Sequence, residues 1–191
     1  MVSDALAFAG LLKFLFIGNS YTFYNDLPQM LEAMARASDV PLVTGIVAGG
    51  GFSLDKHIRL DNINPALEGR EAVAKRSSSK CIIRIPPISG PWSWVIMQEQ
   101  SLRPLENPEK LLESAATISR AAVSGGARPA ILATWARKDS PQDQPRLTRA
   151  IAHAAQQVDA TVLRAGDAWE AALREGFDLY HQDGSHPNPA G

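Results

Sequence analysis

Short runs of uninterrupted apolar residues alternate along this chain with longer stretches of helical periodicity. The runs are KFLFIG at 13–18, PLVTGIV at 41–47, WVIM at 94–97, AILAT at 130–134 and ATVLRA at 160–165. Apolar residues at every position, instead of every second one, mark strands covered on both faces, as in a parallel sheet. Between the first two runs, Leu27, Met30, Leu31 and Met34 share one helical face, with Asp26 as a cap and Pro28 in the first turn. Pro108 opens a second helical segment, in which Leu111, Leu112, Ala115 and Ile118 recur up to Gly125 and Gly126. The stretches 144–158 and 167–174 behave alike. Five strands alternating with helices predict a three-layer α/β/α sandwich around a five-stranded parallel sheet.

In such sheets, sites form beyond the carboxyl ends of the strands. The residues that follow the runs are Asn19-Ser20, Gly49-Gly50-Gly51, Gln98-Glu99-Gln100 and Trp135, which are small, polar or flexible groups suited to a pocket. The interval 61–91 fits no element apart from a brief CIIRI that is compatible with a strand. It reads as a surface excursion between the second and third core strands.

Length adds a bound: 191 residues with 45% hydrophobic content suit a single domain over 1–191 with a full core. Nineteen Lys and Arg against twenty Asp and Glu leave a formal charge of −1, so nothing global points to nucleic acid or an anionic membrane. One cysteine, Cys81, excludes an intramolecular disulfide and a cysteine-rich metal site. The N-terminal MVSDALAFAG carries Asp4 where a secretory leader has basic residues, which favours a cytoplasmic protein unless the true N-terminus is longer. No run approaches the ~18 apolar residues of a membrane span.

The abrupt end of FLFIG in Asn19-Ser20-Tyr21 raises the question of a presented serine. A serine hydroxyl is a poor nucleophile until a base takes its proton, and the base works better when a third group orients it. Four histidines compete for that role. His153 sits mid-helix in RAIAHAAQQ and reads as a surface or packing residue, and His57 follows the glycine loop and borders the expected site. His181 and His186 flank QDGS near the C-terminus. In DGSHP, Asp183 precedes His186 by three residues across a Gly-Ser turn. Its carboxylate can fold back onto Nδ1–H and leave Nε2 free to face a serine.

IGNSYT, the glycine loop GGGFSL, VIMQEQS after the third strand and DGSHP together resemble the ordered blocks of the SGNH hydrolase superfamily, the GDSL-like esterases. In particular, FIGNSYTFYNDLP with GGFSL and MQEQS looks like a bacterial branch of that superfamily whose members mostly lack assigned substrates. The resemblance implies a flavodoxin-like SGNH hydrolase fold, with Ser20 as nucleophile, His186 as base and then acid, and Asp183 as the orienting carboxylate. It further implies an oxyanion hole made by the N–H of Ser20, the N–H of Gly51 with Gly50 beside it, and a side-chain amide after the third strand. Most of the superfamily supplies that amide from Gly-x-Asn, whereas this chain has Gln98-Glu99-Gln100. Gln98 is the first choice and Gln100 the second; Glu99 is expected to point away. Relatives continue past the histidine into a helix, while this sequence ends at Gly191, so the base is expected on a tether and the activity to be weak.

The reading that follows is a serine hydrolase of small acyl esters, carbohydrate acetates among them, needing no cofactor and no metal. Its partner is a small-molecule or carbohydrate ester; no nucleic-acid or membrane partner is expected, and the oligomeric state stays open. Tyr21 and Trp135 are equally suited to stacking on a substrate or to packing. The alternative is an impaired module of the same fold that binds a glycan or a protein. Nucleotide binding at AGGGFS lacks the Gly-x-x-x-x-Gly-Lys pattern, and His181, Asp183 and His186 are better matched to a triad than to zinc.

Overall fold

The computed structural model describes residues 10–69, 81–87 and 90–191. Its strands are β1 (Leu12–Gly18), β2 (Leu42–Gly49), β3 (Cys81–Arg84), β4 (Trp94–Met97), β5 (Arg128–Leu132) and β6 (Thr161–Leu163). The helices are α1 (Ser20–Phe23), α2 (Leu27–Ala37), α3 (Leu54–Arg59), α4 (Ile63–Leu67), α5 (Arg103–Glu106), α6 (Pro108–Ser124), α7 (Gln144–Gln157) and α8 (Ala165–Arg174). Strand order is β3-β2-β1-β4-β5-β6. The five strands expected from the apolar runs pair in parallel, so their carboxyl ends open on one edge of the sheet.

The sheet has six strands, not five. β3 runs antiparallel to β2, with Ile46 opposite Arg84 and Gly49 opposite Cys81. This strand is the CIIR segment, and its pattern was ambiguous for a physical reason. It is short and lies at an edge, with Ile82 facing solvent, so it lacks the continuous apolar run of a strand covered on both sides. Arg84 reaches the Asp26 carboxylate at 2.9 Å and ties the edge to the turn before α2. The interval 61–91, expected as a surface excursion, instead supplies α4, whose Ile63 and Ala66 are buried in the core, as well as β3; its residues 70–80 and 88–89 lie outside the described residues, as do residues 1–9.

Strand alternation sorts the core onto two faces. Leu15 and Ile17 of β1, Val95 and Met97 of β4 and Ile131 of β5 pack against Leu111, Ala115 and Ile118 of α6 and Ile151 of α7. Phe16, Ile46, Ile96 and Leu132 face the other way, toward Leu27 and Leu31 of α2. Burying each such side chain stabilises the fold by about 1.5–3 kcal/mol. Gly45 is required by a close approach, because a Cβ there would stand 2.6 Å from the Trp92 ring. Among the described residues no helix is long and apolar enough to cross a membrane.

Candidate active site

The chain leaves β1 at Gly18 and enters α1 at Ser20, with one residue between them to make the turn. That residue, Asn19, holds the turn with both ends of its amide. Its Oδ1 accepts from Tyr21 N–H at 3.1 Å, and its Nδ2 donates to the Phe52 carbonyl at 2.9 Å, which joins the serine turn to the glycine loop after β2. Ser20 is half-buried, and as the first helical residue it has a main-chain N–H with no intrahelical acceptor.

The second contributor comes from the far end of the chain. His186 Nε2 lies 2.8 Å from Ser20 Oγ, and His186 Nδ1 lies 2.6 Å from Asp183 Oδ2. A carboxylate can only accept, so Nδ1 carries the hydrogen and Nε2 is left as the acceptor for the serine hydroxyl. Desolvation opposes ionisation of Asp183. Hydrogen bonds from the His186 ring and from the N–H groups of Ser185 and His186 outweigh it and hold the carboxyl well below the usual range. Asp183 is therefore ionised at neutral pH.

The segment bearing His186 is not a loose tether. Tyr180 and Pro187 form a bridge, His181 N–H donates to the His186 carbonyl at 2.8 Å, and Asn188 N–H donates to the Leu179 carbonyl at 2.9 Å. From the serine side, Asn25 Nδ2 donates to the Pro187 carbonyl at 3.0 Å. Trp135 Nε1–H donates to the Ser185 carbonyl at 2.9 Å. The Tyr24 ring stacks on the His186 imidazole, with centroids 4.7 Å apart. Tyr21, Trp135 and Trp169 form a continuous stack, Tyr21 to Trp135 at 4.9 Å and Trp135 to Trp169 at 4.0 Å. All three are buried, and all three also line a cavity beside Pro187 and Asn188, so Tyr21 and Trp135 both pack beneath the loop and face that cavity.

The remaining expected residues divide sharply. Gly51 sits exposed at φ 67°, in the left-handed region that a glycine occupies without strain, and an added Cβ would meet nothing within 4 Å. Gly50 beside it is half-buried. Gln98 does not face the site, contrary to expectation. It is 1% exposed, its Oε1 accepts from Asn19 N–H at 3.0 Å and Thr22 Oγ1 at 2.9 Å, and its Nε2 donates to the Glu99 carbonyl. The strand end points this side chain under the serine turn, where it braces the backbone. Gln100 is only half-buried. Its Oε1 accepts from Leu102 and Arg103 N–H at 3.0 and 3.1 Å, and its Nε2 approaches Ser101 Oγ at 3.3 Å. One amide hydrogen of Gln100 thus has no acceptor among the described residues.

Two buried groups extend the frame. Glu99 Oε1 accepts from Leu54 N–H at 3.2 Å and Gln100 N–H at 2.6 Å, so one carboxyl links the glycine loop to the loop after β4. Burial pushes its pKa up to about 7, against the pull of those hydrogen bonds and of Arg103. His57, expected at the border of the site, is fully buried beneath it and donates from Nε2 to the Gly18 carbonyl at 2.7 Å. Burial lowers its pKa, so the ring is neutral. His153 is exposed on α7 and remote in role. Among the described residues, no three His, Cys, Asp or Glu side chains are gathered so as to hold a metal ion.

No protein-family model matches this chain, and no curated protein matches it. Solved structures do. A candidate SGNH hydrolase from Slackia heliotrinireducens aligns with a TM-score of 0.68 at 29% identity, over 95% of this chain and 93% of that one. A DUF4886 family protein from Bacteroides uniformis aligns with a TM-score of 0.68 at 19% identity, over 94% and 77%. A catalytic mutant of an acetylxylan esterase from Geobacillus stearothermophilus gives 0.60 at 11% identity, over 94% and 88%. The chain has the SGNH hydrolase superfamily fold.

Proposed function

We propose that this chain is a serine ester hydrolase acting on small acyl esters, with Ser20 as nucleophile, His186 as general base and acid, and Asp183 as its orienting carboxylate. The observation that carries the reading is the continuous line from Asp183 Oδ2 through the His186 ring to Ser20 Oγ, at 2.6 and 2.8 Å. Ser20 Oγ attacks the ester carbonyl carbon as His186 Nε2 takes the hydroxyl proton. The charge that develops on the carbonyl oxygen is met by the N–H groups of Ser20 and Gly51 and by the free amide hydrogen of Gln100. Collapse expels the alcohol, which takes the proton from His186, and water activated by the same ring then releases the acid from Ser20.

Carbohydrate acetates are the substrate class to try first, a choice supported by the likeness in fold to an acetylxylan esterase. The decisive experiment is labelling with a fluorophosphonate probe, followed by peptide mapping beside a His186→Ala control. An adduct on Ser20 that disappears in the control supports the reading. No adduct on folded protein sinks it and leaves a glycan- or protein-binding module of the same fold.

A further inference from the structure

Arg137 differs from the other arginines of the described chain. Elsewhere they are ion-paired, as Arg84 is with Asp26 and Arg103 with Asp55, or exposed to water, as are Arg36, Arg120 and Arg149. Arg137 is half-buried and meets no carboxylate among the described residues. Among the described residues its Nε is buried without an acceptor, and its hydrogen bond runs from Nη2 to Ser101 Oγ at 3.4 Å. Withdrawing a cation from water without an anion is unfavourable, and the cost is relieved when a ligand brings the missing charge.

The backbone around Arg137 is pinned on both sides. Tyr180 Oη donates to the Ala136 carbonyl at 2.8 Å, Ala136 N–H donates to Gln144 Oε1 at 2.7 Å, and Lys138 N–H donates to the Gly184 carbonyl at 2.8 Å. Arg137 therefore leaves a fixed backbone beyond the end of β5, beside the loop of Gly184, and its side chain extends to Ser101 in the loop after β4. The neighbouring cation, Lys138, is turned to Asp178 at 3.8 Å. Asp183, the nearest acid along the second loop, is engaged by His186. Arg103, two residues past Ser101, is paired with Asp55, so a lone guanidinium is left, which matches the charge and planar fork of one carboxylate better than a phosphate dianion.

We propose that Arg137 is a specificity-determining residue that binds a carboxylate carried by the ester, so that the preferred substrates are esters of acidic compounds, acetylated uronic acids among the sugars. This rests on the ester-hydrolase reading for the reaction, but the anion site is testable without turnover. Ser20→Ala protein is titrated calorimetrically with methyl glucuronoside acetate and with the methyl glucoside acetate acetylated at the same position. The acidic sugar is expected to bind at least about 10-fold more tightly. Adding Arg137→Gln should abolish that preference, and Arg137→Lys should restore part of it. Equal affinities, binding of neither sugar, or a preference that survives Arg137→Gln overturns the assignment. Hydrolysis of the same two esters by the unsubstituted chain separates the readings. Tight, arginine-dependent binding without turnover sinks the hydrolase and keeps the anion site, whereas turnover of both esters at equal kcat/KM does the reverse.

Discussion

Gln98 Oε1 accepts from the N–H of Asn19 at 3.0 Å, which puts a buried side-chain amide directly beneath the turn that presents Ser20. The same oxygen takes the Thr22 hydroxyl, so a single residue at the end of β4 holds both sides of the serine. The conformation of the turn is therefore set by the neighbouring strand as much as by its own residues. This relationship separates two glutamines that look interchangeable in the sequence.

Gln98→Leu should leave the Asn19 N–H without its buried acceptor, at a cost of about 1–3 kcal/mol in stability. Gln100→Ala removes the acceptor for the Leu102 and Arg103 N–H groups at a modest cost of about 1 kcal/mol, and should lower kcat by about 10²–10³-fold, the usual effect of losing one oxyanion donor. Denaturant titration beside ester kinetics on both variants checks this. A stable Gln98→Leu protein with a large loss of kcat would reverse the assignment.

Removing the base or the nucleophile should act on rate alone. His186→Ala and Ser20→Ala are each expected to lower kcat by at least about 10³-fold, and the double variant to fall little further, because the groups act as one unit. Multiplicative losses in the double variant would argue against a shared mechanism.

Gly18→Ala tests how tightly the turn is framed. A Cβ at Gly18 would run into Thr22 Oγ1 and lie 2.7 Å from Gln98 Oε1, the two atoms of the brace itself. Crowding of this kind costs about 1–3 kcal/mol. The expected result is a lower melting temperature together with reduced labelling of Ser20 by the fluorophosphonate. Wild-type values for both would mean that the turn has room to relax.

The Glu99 carboxyl makes stability depend on pH in a definite direction. Its folded pKa of about 7 stands above the ordinary 4.5, so the folded protein holds this proton more tightly than the unfolded chain does. Its contribution is fully present below the unfolded value and is lost as pH rises through about 7, amounting to at most about 3 kcal/mol. Glu99→Gln keeps an acceptor for Leu54 and Gln100 N–H and removes the titration. Denaturation at about pH 5 and about pH 8 should therefore show a steeper loss for the unsubstituted chain than for the variant. Parallel curves would rule out a buried, titrating Glu99.

The order of elements and the ends of the strands were legible because they rest on local signals. Uninterrupted apolar runs identified β1, β2, β4, β5 and β6, and helical spacing with Pro at the first turn located α2 and α6 to within a few residues. The brief strand β3 was ambiguous, since a half-exposed edge has no continuous run to display. The DGSHP motif carried its own geometry: three residues of separation suffice for Asp183 to reach the ring of His186.

The alternation of buried strands and amphipathic helices, and the chemical groups that stand at the strand ends, follow from short-range pattern and residue type. Which of those groups meet is a matter of how distant segments pack. Ser20 and His186 are 166 residues apart in the chain and 2.8 Å apart in space. Gln98 turns inward while Gln100 stays near the surface, and Arg137 reaches Ser101 in the loop after β4. Such choices depend on which face of a strand end is covered, and that is set by long-range packing that no local pattern records.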